Sequence, residues 1–62
     1  MNTEMLLKEF KEILSYEERA KHFYDHYIEQ VDDEEIKKQL TAIRDDERAH
    51  IKIAQALIGL VS

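Results

Sequence analysis

The chain has 62 residues, no cysteine and a formal charge of −5. A core of this size is marginal in one chain. Without thiols, neither disulfides nor thiolate-held zinc or iron–sulfur clusters can support it, which leaves an oxygen- or nitrogen-ligated metal or a partner chain. The acidic balance argues against nucleic acid, whose phosphates need clustered Lys and Arg. The opening "MNTEMLLKEFKE" carries acids and no long apolar run, and "IKIAQALIGLV" contains Lys52 and Gln55 and is far too short to span a bilayer. The expectation is a single-domain, soluble, cytoplasmic protein with no nucleic-acid or membrane partner.

In chain order the first element is a helix over about residues 3–31, with Thr3 placed to cap it. Proline is absent, Gly59 is the one glycine, and Glu, Lys, Leu, Ala and Ile dominate, all at home in helices. The one break is at "QVDDEEIKK". There Asp32 or Asp33 can accept from free backbone N–H groups, Asp32 with Glu35 has the spacing of a capping box, and Glu34 and Glu35 suit the positive end of a helix dipole. A second helix follows over about 33–60, joined to the first by a tight turn near residue 32.

Both helices carry a heptad seam. Leu6, Phe10, Ile13, Glu17, Ala20, Tyr24, Tyr27 and Val31 follow a 4-3 spacing, as do Ile36, Leu40, Ile43, Glu47, His50, Ala54, Leu57 and Val61. This is the pattern of helices packed at shallow angles. Leu14, Phe23, Ile28, Ile51, Ile53 and Ile58 widen the stripes, so each helix is expected to meet more than one neighbour. One hairpin cannot cover two wide stripes; two hairpins can, as an all-α four-helix bundle.

Glu17, Glu47 and His50 are the only seam positions with an ionisable acid or base of the Asp, Glu, Lys, Arg or His type. Glu17 and Glu47 are equidistant from the turn, each roughly 22 Å away at the helical rise, and so share a level in an antiparallel hairpin. His50 is one turn further, on the same face as Glu47. A two-fold axis through the layer would gather four carboxylates and two imidazoles. Left empty, that cluster would be costly; two divalent cations would balance it. Carboxylate oxygen with imidazole nitrogen suits iron, manganese or zinc, and a Glu from two helices with Glu-x-x-His from the other two is a known di-metal arrangement in bundles.

At these residues, "EERAKHFY" with Glu17, Ala20 and Tyr24 and "ERAH" with Glu47 and His50, the chain resembles half of a rubrerythrin-type ferritin-like domain. The two-helix length and the thirty-residue gap between the glutamates are most similar to the encapsulated ferritins. That resemblance implies a homodimer completing a di-iron ferroxidase centre with two irons, assembly into rings, and housing in an encapsulin shell. It implies Glu17 as a terminal ligand, Glu47 as a bridge across the dimer axis and His50 as the residue completing each shell. Ala20 would leave room beside the metals, and Tyr24 would hydrogen-bond a ligand. Within these 62 residues there is no counterpart of the extension that targets encapsulated ferritins or of the rubredoxin-like cysteine domain of full rubrerythrins, so neither encapsulation nor rubrerythrin-type electron transfer is expected from this stretch itself.

Other readings stand beside this one. Glu18 competes with Glu17 as ligand, but is turned about 100° from the seam. His22 and His26 read as a solvated face, Asp46 as an exposed acid able to orient a ligand, and Tyr16 and Tyr27 as packing aromatics. The functional expectation is Fe(II) oxidation for storage or detoxification. The alternatives are a rubrerythrin-like peroxide reductase, or a non-catalytic dimerisation module stabilised by zinc or manganese.

Overall fold

In the computed structural model, which describes all 62 residues, two α-helices form an antiparallel hairpin: α1 (Thr3–Gln30) and α2 (Glu34–Val61), linked by Val31, Asp32 and Asp33. The hairpin is a rod of 47 × 14 × 14 Å. No helix is long and apolar enough to cross a membrane.

The caps differ in part from expectation. Asn2, not Thr3, starts α1, with its side-chain oxygen accepting from Met5 N–H at 2.8 Å. Asp33 starts α2, accepting from Ile36 N–H at 2.9 Å. Glu35 accepts from the Gln39 side chain instead of closing a capping box with Asp32. Asn and Asp both reach N–H groups three residues on, each satisfying a donor that the first turn leaves open. The α1 end closes on the Val31 N–H, which donates to the Tyr27 carbonyl.

The seam inside the hairpin is rotated relative to the one expected from spacing. The expected stripe ran through Ile13, Ala20 and Tyr27 on α1, and through Ile36, Ile43 and His50 on α2. Leu6, Ala20 and Leu57 of that stripe are half-buried, but Ile13, Tyr27, Ile36, Ile43 and His50 are exposed, and the covered residues include Leu7, Phe10, Leu14, Glu17, Lys21, Tyr24, Ile28 and Val31 from the first half and Lys37, Leu40, Arg44, Glu47, Ile51, Ala54, Ile58 and Val61 on α2. Half the positions of each stripe shift by one residue, or 100°, so each helix is turned by about 50°. Phe10, Glu17, Tyr24, Val31, Leu40, Glu47, Ala54 and Val61 belong to both stripes.

This rotation gives the hairpin two unlike sides. One is an open apolar face on which Ile13, Tyr27, Ile36, Ile43 and Ile53 remain between 39% and 58% exposed. Each forgoes part of the about 1.5–3 kcal/mol that full burial of a large apolar side chain contributes. The other is polar. There Arg44 donates from Nη1 to Asp25 at 2.8 Å and from Nε to Asp45 at 2.9 Å, and Lys21 donates to Asp25 at 2.6 Å. Hydrogen bonds from Lys21 and then Arg44 hold the Asp25 carboxyl down at about 2, because both favour its charged form. Sequence spacing gave no hint of this network, since its members sit outside the 4-3 stripe first read. Only Ala54 is fully buried, so the single chain has almost no core of its own.

Candidate metal centre

Glu17 and Glu47 lie near the middle of their helices, in columns common to both stripes. Each therefore faces the opposite helix while remaining at the edge of the open face. A three-residue turn fixes their levels, as equal distances from the turn predict. One ligand atom from each of Glu17, Glu47 and His50 lies within 4.8 Å of the other two. Ligand atoms of one tetrahedral cation at about 2.0–2.2 Å are roughly 3.3–3.6 Å apart, so side-chain adjustments on the order of 1 Å would close the cluster on an ion.

The burial of the three is graded. His50 Nδ1 is 3.6 Å from Glu17 Oε2, too long for a hydrogen bond, and the side chains are 54% and 19% exposed respectively. His50 points into a shallow groove on the open face, lined by Ile13, Glu17, Ile53, Ala54 and Leu57. Its seam position is as expected, but within one chain it is the most exposed of the three.

Glu47 is the electrostatically unusual member. Its carboxyl is raised, first by a hydrogen bond with Glu17, then by burial and the Glu17 charge; His50 opposes the shift and Asp46 adds to it slightly. Two acids this close favour one shared proton over two charges. When both are ionised, neither can donate, and the buried Glu47 Oε2 has no hydrogen-bond partner. Such an orphaned acceptor is costly unless something positive meets it. A cation held by two carboxylates and an imidazole supplies that charge, and hard oxygen with imidazole nitrogen suits iron, manganese or zinc. The donor set therefore fits a metal.

The remaining candidates separate cleanly. Glu18 faces the polar side, in a groove with Lys21, His22, Arg48 and Lys52, and does not join the cluster. Tyr24 is half-buried and makes no hydrogen bond within the chain. His26 stacks edge-on against Tyr27, ring centres 5.7 Å apart, and Asp46 is exposed and acts on Glu47 only through its charge. Ala20 opens shallow notches beside Tyr16, Phe23, Tyr24 and Tyr27 on the outer surface of α1. Comparison with family models, with curated proteins and with solved structures gives no match, so the chemistry of this site is argued from its own residues.

Proposed function

We propose that two hairpins pair through their open apolar faces into a four-helix bundle, and that the paired sites form a di-iron centre oxidising Fe(II) to Fe(III). The observation that carries this reading is the Glu17, Glu47 and His50 cluster, with an unpartnered buried carboxylate oxygen, at the edge of an unpartnered apolar face. One copy offers two carboxylates and one imidazole. Two copies offer four carboxylates, which balance two divalent cations in a dry bundle core.

In that bundle Glu17 holds its iron as a terminal carboxylate. Glu47 would supply to the irons the oxygen that has no partner in the single chain, and His50, covered by the partner, would complete the set. Ferrous iron is the substrate. Two Fe(II) give one electron each to dioxygen, which takes up two protons to become hydrogen peroxide; with peroxide as oxidant the same two electrons and two protons yield two waters. The anionic oxygens of the glutamates favour the ferric product. Ferric iron then leaves for storage or mineralisation, in the rings or encapsulin shell that the ferritin-like resemblance implies.

A second reading has one specific support. With Ala54 the only buried residue, a zinc or manganese ion linking Glu17 on α1 to Glu47 and His50 on α2 would staple the hairpin, as metals do in other small domains. Fe(II) added in air separates the two. The ferroxidase reading expects oxidation much faster than in buffer, lost in Glu17→Ala with helical content kept. Oxidation at the buffer rate by metal-replete dimer would leave only the structural role, and a monomer by light scattering would defeat the shared site.

A further inference from the structure

We propose that Arg44 is a positioning residue that locks the rotation of the two helices, so that Glu17, Glu47 and His50 border an open apolar face. The case rests on which stripe the hairpin buries. The positions peculiar to the half-buried stripe are Leu7, Leu14, Lys21 and Ile28 with Lys37, Arg44, Ile51 and Ile58. Those peculiar to the other stripe are Leu6, Ile13, Ala20 and Tyr27 with Ile36, Ile43, His50 and Leu57, of which Ile13, Tyr27, Ile36, Ile43 and His50 are exposed and Leu6, Ala20 and Leu57 are half-buried at its edge. The first set contains three cations and the second only a histidine. Hydrophobic burial alone would turn the second set inward, closing the hairpin on its own apolar face.

What holds the more polar stripe inside is specific. Apart from the carboxyl contact of Glu47 with Glu17, the bond from Arg44 to Asp25 is the one hydrogen bond that joins α1 to α2. Arg44 is 19% exposed and its fork is used twice, on Asp25 across the gap and on Asp45 beside it, while Lys21 shares Asp25 from α1. A planar fork gripping two carboxylates fixes direction as well as distance, which an ammonium does not. The short turn fixes the levels of the helices and leaves their rotation to side chains. Rotating each helix by about 50° to bury the apolar stripe would break this network. It would also carry Glu17 and Glu47 across the seam, from the border of the apolar face to the border of the polar one, away from the face on which a partner would dock.

The rotational claim stands by itself; the claim on the metal site depends on the proposed di-metal centre, so two readouts are needed. Because the chain has no cysteine, nitroxides placed at His22→Cys and Lys52→Cys report the width of the polar groove both residues line. Dilution with unlabelled protein restricts the signal to one chain. Arg44→Leu should change this spacing by about 5 Å, the arc of a 50° turn at the ~5–6 Å radius of a helix with side chains. Co(II) titration followed by visible absorption should show about 10–100-fold weaker binding, the range for groups that orient metal ligands. Arg44→Lys, which keeps the charge and loses the fork, should fall between wild type and Arg44→Leu in both measurements. Should Arg44→Leu fail to fold, Asp25→Asn carries the same two readouts. Unchanged spacing overturns the lock. Changed spacing with unchanged Co(II) affinity overturns the positioning role. Wild-type protein that binds no Co(II) overturns the di-metal reading, and the spacing alone then decides the lock.

Discussion

The two sides of the hairpin solve different problems with the same two helices. The polar side is complete within one chain: Asp25, Arg44, Lys21 and Asp45 satisfy one another there. The apolar side is incomplete, with isoleucines and a tyrosine in water and a buried carboxylate oxygen that nothing meets. A short chain can afford only one finished interface, and the finished one here is the weaker source of hydrophobic energy. The stronger source is left open to solvent within the single chain, with the ionisable cluster on the boundary between the two.

The sharpest way to break this contrast is to charge the open face. Ile43→Glu should abolish dimerisation and iron oxidation together, because an unpaired carboxylate cannot be buried in an apolar interface; sedimentation and an oxidation assay check it. If oxidation survives in a monomer, the two sides are not coupled.

Next comes the boundary. Glu47→Gln should reduce iron oxidation to the buffer rate and also change the pH dependence of the metal-free fold. The raised Glu47 carboxyl binds its proton more tightly in the folded than in the unfolded chain. Its contribution is therefore present below the unfolded carboxyl value and is lost as pH rises through the higher folded one. Metal-free wild type should lose stability over that window, and Glu47→Gln should not; urea titrations of both proteins at a series of pH values measure it.

The polar side predicts the opposite sign. Asp25, held at about 2, contributes stability that is full above the unfolded aspartate value of about 3.9 and is lost as pH falls through about 2. Asp25→Asn should remove that acid-side slope and leave the alkaline side alone, as followed by circular dichroism. The smallest effect belongs to Lys52, exposed on the polar groove and without an ion-pair partner. Lys52→Ala should change stability by within about 0.5 kcal/mol and leave iron oxidation intact.

Much of this molecule was legible in the residues. Composition and the 4-3 spacing give two helices, the acidic break gives the turn, and equal distances from it put Glu17 level with Glu47. Within a few residues of each helix end, competing donors and acceptors blurred the picture: Thr3 and Asn2, or Asp32 and Asp33, can cap with similar chemistry, and only backbone direction chooses between them. Glu18 and Glu17 are adjacent in sequence but are separated by the helical turn, so periodicity alone selected the one that the fold brings to Glu47 and His50.

What spacing could not reveal was which side of a wide apolar stripe turns inward. Both stripes obey the same heptad rule and share half their positions, so periodicity scores them almost alike, and burial energy favours the wrong one. The choice depends on a contact between residues nineteen apart, Asp25 and Arg44, whose geometry exists only once the helices are side by side. The sequence by itself determined the helices, the turn and the level of the three candidate ligands, because these follow from local propensity and helical rise. Only the tertiary structure decided the rotation, and with it the open face and the border position of the site, because a directional side-chain bond across the hairpin outweighs a hydrophobic preference that has no direction.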